Sequence, residues 1–200
     1  MKKAFLASTL VLTPALLFGC SSSNVAVEKT SAGQKLTVTS HADIPVYADL
    51  AKLTSDADAV VIGTVSNIEG SRNLARDPNN PAKEDPNILI EGVDYRVHVQ
   101  EYIKGAGTKS LLITETKQKR MGKDAPMVSE EGYMELESGS TYVFFVKKSP
   151  TSGRYYGVGQ PFIFEVTEGQ VQAKGKNPEW TKPFKPKDLT TFIEDVKSHS

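Results

Sequence analysis

Residues 88–102 read ILIEGVDYRVHVQEY, and this stretch decides the fold class of the chain. Apolar and polar side chains alternate strictly from residue 93 to residue 100, which is typical of a strand with one buried face and one face in water. The apolar set, predicted to lie in the core, is Val93, Tyr95, Val97 and Val99. The polar set, predicted to face water, is Asp94, Arg96, His98 and Gln100.

The neighbouring segments predict further short strands. Residues 59–68 (AVVIGTVSNI) are apolar on both faces, as expected of a buried strand, and Gly63 inside them indicates a bulge. Turn residues such as Glu168-Gly169 separate the other predicted strands. Those strands cover residues 110–115, 141–147, 154–158, 162–166 and 171–173. Short strands joined by hairpin-compatible turns favour an antiparallel barrel or a sandwich.

Helical patterns bracket the strands, and two irregular inserts interrupt them. Residues 43–58 predict a helix with Asp43 as its N-cap, and residues 188–198 predict a C-terminal helix. Residues 177–186 predict an extended, proline-rich link. Residues 69–87 and 116–138 lack periodicity and predict long loops, which are the expected contact regions of a rigid scaffold.

The N-terminus predicts export. Lys2 and Lys3 precede fifteen mostly apolar residues, 4–18, which Pro14 interrupts. This segment is short of the about 20 residues that span a bilayer, so residues 1–19 predict a removable signal peptide. Cys20 is the one cysteine of the chain, and an intramolecular disulfide is therefore excluded. An ordinary secreted protein and an uncleaved anchor are the alternatives.

Leu17-Phe18-Gly19-Cys20 resembles the lipobox of bacterial lipoproteins. The resemblance implies cleavage before Cys20 and acyl chains attached there, anchoring the protein outside the cytoplasm on the cell membrane or the outer membrane. Residues 20–42 are mostly small and polar, and they predict a flexible tether with a reach of roughly 25 Å. Residues 43–200 form the single predicted domain.

Charge limits the range of partners. The chain has 24 basic and 24 acidic residues, and removal of Lys2 and Lys3 with the signal peptide leaves 22 basic against 24 acidic. Nucleic-acid binding requires concentrated positive charge, so no nucleic-acid partner is expected. Besides the membrane, we expect an envelope protein or an envelope polymer as the partner.

Four segments, residues 58–65, 99–105, 139–145 and 155–159, resemble a loose group of uncharacterised bacterial secreted and lipoprotein domains. That resemblance implies a mainly β fold: an antiparallel OB-like barrel of about six strands, with a helix before it and a C-terminal helix. Tissue inhibitors of metalloproteinases also use an OB-like barrel. The chain lacks their Cys-X-Cys start, so their mechanism is not expected.

No pattern in the sequence identifies a reaction. Hydrolase, phosphate-loop, dinucleotide and zinc-protease signatures are absent, and His41, His98 and His199 stand beside no candidate nucleophile. We therefore predict no catalytic residue, metal or cofactor. Oxygen-rich residues 77–87 lack the spacing of an EF-hand calcium loop. The basic residues of the second insert, Lys117, Lys119, Arg120 and Lys123, predict a solvated loop.

Tyr155, Tyr156 and Trp180 are the candidate binding surface. Because neighbouring residues of a strand face opposite ways, one of the two adjacent tyrosines has to point outward. With Trp180 it could present an aromatic surface to a protein or a glycan. The leading hypothesis is a non-enzymatic binding module. An envelope hydrolase or inhibitor is the alternative, and a purely structural envelope component is a third.

Overall fold

The computed structural model describes residues 25–26, 38–40 and 44–200. Cys20, His41, Asp43, the predicted signal peptide and most of the predicted tether lie outside these residues. The described strands are β1 (Val25–Ala26), β2 (Val38–Ser40), β3 (Ala59–Asn73), β4 (Arg76–Asp77), β5 (Asn80–Glu84), β6 (Ile88–Lys104), β7 (Ser110–Met121), β8 (Val128–Glu130), β9 (Thr141–Lys148), β10 (Tyr155–Gly157), β11 (Ile163–Thr167), β12 (Gln170–Lys174) and β13 (Lys187–Asp188). The described helices are α1 (Leu50–Asp56), α2 (Pro178–Thr181) and α3 (Leu189–Ser198).

The fold is mainly β, with α1 before the long strands and α3 at the C-terminus, as predicted. Eleven strands belong to one sheet, while β4 and β5 form a separate two-stranded sheet. The prediction of about six strands is therefore too low. The additional strands lie in the predicted loops (β4, β5 and β8), in the predicted tether (β1 and β2) and just before α3 (β13). The strands β3 and β7 also extend into the two predicted loops, through residues 69–73 and 116–121.

Five strands of the large sheet are joined in a closed circuit of pairings. β3 pairs antiparallel with β6 and β9, and β6 pairs antiparallel with β7. The short strand β10 completes the circuit, since it pairs antiparallel with β9 and parallel with β7. The β7–β10 contact consists of one residue pair, Ile113 and Tyr155. Each of the five strands thus has a neighbour on both sides along part of its length.

Gly63 lies at an irregularity in the β3–β6 ladder. The register shifts between Ile62 and Gly63, as predicted for a bulge. A Cβ atom at this position would lie 2.4 Å from Val97 Cγ1 and 2.9 Å from the carbonyl oxygen of His98. The two strands can therefore approach this closely only because residue 63 has no side chain.

The core has two sides, which meet at β9. The predicted inward set on β6 (Val93, Tyr95, Val97 and Val99) is buried, as expected. On β9 both Phe144 and Phe145 are fully buried. Phe144 lies 5.6 Å from Tyr142 on one face of the strand, while Phe145 lies 6.3 Å from Phe192 of α3 on the other face, measured between ring centroids. Helix α3 therefore covers the second face of β9.

Each helix begins directly after a residue whose side chain caps its N-terminus. The prediction of a helix over residues 43–58 is too long, because Asp49 is the N-cap of α1 and accepts a 2.7 Å hydrogen bond from the Lys52 backbone N–H. Val46 before it forms a bridge to Gln160 instead. The predicted α3 is confirmed, with Asp188 as its N-cap. The predicted extended link contains the short helix α2, capped by Asn177.

In the part of the chain that the structure describes, every helix is too short or too polar to cross a membrane.

Candidate functional site

A cleft opens where β7 and β10 separate. The strands touch at Ile113 and Tyr155. Beyond that pair, β7 continues and pairs with β8, while β10 ends at Gly157. The space between them has a volume of about 380 Å³. We call it the Glu115 cleft. Its apolar walls are formed by Ile44, Ile90, Tyr133, Tyr156 and Phe162, and its polar side chains include Thr114, Glu115, Thr116, Lys119, Glu130 and Gln160.

Glu115 is the more deeply buried of the two acids that line this cleft, with 5% of its surface exposed. Its Oε2 atom accepts a long, 3.4 Å hydrogen bond from the Met134 backbone N–H. Its Oε1 atom has no hydrogen-bond partner among the described residues. Burial raises the pKa of Glu115 to about 8, and the Met134 N–H and the charge of Lys176 only partly oppose this. At neutral pH the carboxyl group therefore holds its proton and can donate a hydrogen bond.

Two tyrosines form a buried polar pair beside Glu115. The hydroxyl groups of Tyr95 and Tyr133 lie 2.9 Å apart, and either can be the donor. Burial raises the pKa of both hydroxyl groups, so both are neutral at physiological pH. The Nζ atoms of Lys117 and Lys176 lie 5.9 and 5.4 Å from the Tyr133 ring centroid. These cation–π contacts position Tyr133 against the cleft.

Two charged side chains of the cleft, on β7 and β8, neutralise each other. Lys119 Nζ on β7 lies 2.9 Å from Glu130 Oε1 on β8, and Glu130 is 8% exposed. Gln160 is also buried, and its Nε2 atom donates a 3.1 Å hydrogen bond to the Gly132 carbonyl oxygen. Lys119 and Glu130 therefore offset each other, and the protonated Glu115 adds no charge to the cleft at neutral pH.

Asp94 departs from its predicted position on the wet face of β6. It is 6% exposed and accepts hydrogen bonds from Arg72 Nε at 3.0 Å, from Arg154 Nε at 3.1 Å and from the Thr114 hydroxyl. Burial works to raise the pKa of Asp94, but these hydrogen bonds and the two guanidinium charges outweigh it and hold the pKa below its usual value. This cluster ties β3, β6, β7 and the segment before β10 together.

The three residues of the candidate binding surface lie in three different environments. Tyr155 is buried with 8% exposure, while Tyr156 is 44% exposed and lines the Glu115 cleft. Trp180 lies half-buried on α2 and is not among the residues that line the cleft. The outward tyrosine is thus Tyr156. Whether any of the three binds a partner stays a prediction.

Other residues singled out in the sequence have local roles. Lys117, Lys119 and Arg120 lie on β7 rather than on the predicted loop. Asp77 and Asp85 each accept hydrogen bonds from backbone N–H groups two residues ahead, so these oxygens close local turns. Within the described residues, no cluster of three or more His, Cys, Asp or Glu side chains suits a metal ion. His98 is exposed on β6, and His199 is the C-cap of α3.

Sequence reasoning missed Glu115 and the buried position of Asp94. A signal for Glu115 exists, since Leu111, Ile113 and Glu115 share one face of the predicted strand by their spacing of two. An acid that continues an apolar face is a candidate buried acid. For Asp94, the alternation of β6 predicts a side chain that faces water. Its partners, Arg72 and Arg154, come from segments distant in sequence.

The chain was compared with protein-family models and with curated proteins. No family model matches the chain, and no curated protein matches it either.

Proposed function

We propose that the protein is a membrane-anchored envelope lipoprotein whose domain is a non-enzymatic binding module. Residues 1–19 are its signal peptide, Cys20 carries the lipid, and residues 20–42 hold the domain outside the cytoplasm, on the cell membrane or the outer membrane. The lipobox-like segment ending in Cys20 and the apolar run before it support this proposal. Its partner is an envelope protein or polymer.

We also propose that the five-strand circuit is an OB-like barrel. Such barrels are five-stranded Greek keys that bind ligands on one face and through their loops. The support is the order of pairing, β6–β3–β9–β10–β7 and back to β6, with β7 and β10 as the one parallel pair of the circuit. In this arrangement the Glu115 cleft lies beside the parallel contact.

The Glu115 cleft is the observation that carries the binding proposal. Ligand sites are concave and mostly apolar, with a few placed polar groups, and they have volumes of about 300–1,000 Å³. The cleft fits this description, and its lining includes the exposed Tyr156 and the buried Glu115. The second predicted insert supplies part of it through Glu130, Gly132 and Tyr133.

Site-specific photocrosslinking in intact cells tests both the anchor and the cleft. A photoreactive amino acid placed at Tyr156 should capture an envelope component, while the same group at the exposed Gln172 of β12 should not. The Cys20→Ala variant should leave the membrane fraction and lose the crosslink. Unchanged fractionation of that variant would contradict the lipid anchor, and equal capture from both positions would contradict a role for the cleft.

An envelope hydrolase is the second candidate, because two buried carboxyl groups with different surroundings line the same cleft. Glu115 holds its proton near neutral pH, whereas Glu130 is paired with Lys119. One protonated acid and one carboxylate are the groups that glycoside hydrolysis requires. Release of soluble fragments from purified envelope polymer by the wild type, but not by Glu115→Gln, would favour this function over simple binding.

A further inference from the structure

Glu115 lines the cleft, and its buried Oε1 atom has no hydrogen-bond partner among the described residues. Buried polar groups in folded proteins are almost always hydrogen-bonded, so an orphaned oxygen in a cleft that can admit a ligand indicates where that ligand supplies the missing partner. Among the described residues the carboxyl group accepts one hydrogen bond, the long one from Met134 N–H to Oε2. Glu115 therefore keeps unused hydrogen-bonding capacity at the cleft.

The charges around Glu115 decide which ligand group fits. Lys119 and Glu130 form a pair, Lys117 and Lys176 lie against the Tyr133 ring, and the Tyr95 and Tyr133 hydroxyl groups bind each other. No described anion in the cleft is left to hold a ligand cation once Glu115 is protonated. A neutral ligand with a hydrogen-bond acceptor fits this environment, and an amide carbonyl oxygen is a strong acceptor of this kind.

The walls favour a ligand that is partly apolar. Ile44, Ile90 and Phe162 can surround a methyl group, and the ring of Tyr156, 44% exposed, offers a flat surface for the C–H face of a sugar. An acetamido sugar combines these features, since it has a ring with an apolar face, a carbonyl oxygen and a methyl group beside it.

We propose that the Glu115 cleft binds an uncharged acetamido sugar unit of an envelope glycan, with the Glu115 carboxyl group donating a hydrogen bond to the acetamido carbonyl oxygen. This inference rests on the proposed function as an envelope binding module and names its ligand. Glu115 acts as the specificity-determining residue, and Tyr156 stacks on the sugar ring.

Binding of three soluble trisaccharides to the full-length lipoprotein in detergent micelles tests the ligand class. The probes are the trimers of N-acetylglucosamine, of glucosamine and of glucose. The acetamido trimer should bind at least about tenfold more tightly than the other two by calorimetry at about pH 6, where the amines of the second trimer are charged. Tighter binding of the glucosamine trimer would show that the cleft takes a cation and would overturn the proposal, as would equal binding of the glucose trimer.

The pH dependence tests the role of Glu115. The donor is present below its pKa of about 8, so affinity should be constant at low pH and about tenfold weaker at about pH 9. Glu115→Gln keeps an N–H donor and should bind within a few-fold of wild type without this pH step. A wild-type affinity that does not change with pH would overturn the hydrogen-bond donor role.

Two further variants separate binding from folding. Glu115→Leu has no donor and should lose binding at every pH, and a circular dichroism spectrum like that of the wild type shows whether it folds. If it does not fold, the Gln variant still carries the test through its pH profile. Glu137→Gln, an exposed acid outside the cleft, should behave like wild type. A lipoprotein that binds none of the sugars but keeps its Tyr156 crosslink in cells would overturn the ligand class and leave the binding module standing.

Discussion

The Phe164→Ala variant should unfold with a free energy about 3–5 kcal/mol lower than that of the wild type. Phe164 on β11 is 1% exposed, and its ring centroid lies 5.3 Å from Phe145, 5.3 Å from Phe184 and 5.1 Å from Phe192. It therefore connects the sheet to α3 and to the segment before it. Truncation removes all three ring contacts and leaves a cavity that these rings cannot easily fill, so the loss should approach the upper end of the range.

Equilibrium urea denaturation measures this loss. The matched control is Tyr156→Ala, which removes an aromatic ring from the nearby strand β10 at a position that is 44% exposed. Its loss should stay within about 1 kcal/mol, because surface substitutions rarely cost more. Equal losses in the two variants would mean that the aromatic cluster under α3 does not hold the domain together. An unchanged denaturant slope for Phe164→Ala would show that the comparison concerns stability alone.

The fold class could be predicted because the pattern that decides it is local. On β6, apolar side chains alternate over enough residues to fix both the strand and its buried face. The burial of Val93, Tyr95, Val97 and Val99 confirms that reasoning. The C-terminal helix could be predicted equally well, since Asp188 marks its start and the spacing of Phe192 and Val196 marks its buried face.

The inserts could not be predicted because their strands are held by pairing rather than by burial. Residues 69–73 of β3 have exposed or half-buried side chains, and residues 80–84 of β5 are all exposed. Such segments have no apolar alternation to detect. Their backbone N–H and C=O groups form hydrogen bonds with partner strands. The sequence of one segment alone does not show which strand it will pair with.

The Glu115 cleft was only partly predictable. The outward tyrosine followed from strand alternation, and Tyr156 does line the cleft. The cleft itself depends on the separation of β7 from β10 after Ile113 and Tyr155, which is a property of the sheet topology. Trp180, chosen for its residue type alone, lies on α2 and does not line the cleft. Residue type was thus a weaker guide than position within a strand.

The Asp94→Asn variant should lower the free energy of unfolding by about 3 kcal/mol at neutral pH. Removal of one partner from a buried ion pair costs about 3–5 kcal/mol, because the remaining charge stays buried without compensation. Here two guanidinium groups, of Arg72 and Arg154, lose the same carboxylate. Their side chains are 26% and 32% exposed, so water offsets part of the loss and the lower end of the range applies.

A surface ion pair of the same type is the matched control. Glu101 on β6 lies 3.3 Å from Lys197 of α3, and both side chains are about half exposed. Glu101→Gln should therefore cost less than about 1 kcal/mol. Urea midpoints of the two variants and the wild type, measured side by side, give the comparison. If Asp94→Asn loses no more free energy of unfolding than Glu101→Gln, the Asp94 cluster contributes no more to stability than a surface ion pair does.

The pH dependence of the same variant tests the electrostatic cause. The pKa of Asp94 in the folded protein lies below its value of about 3.9 in an unfolded chain. The carboxylate therefore contributes its full stability above about pH 4, and this contribution disappears as the pH falls through the folded-state pKa. Because asparagine does not titrate, the wild type and Asp94→Asn should become more similar in stability between pH 7 and about pH 3. A difference that stays constant over this interval would point to packing around Asp94, and not to its charge, as the source of the loss.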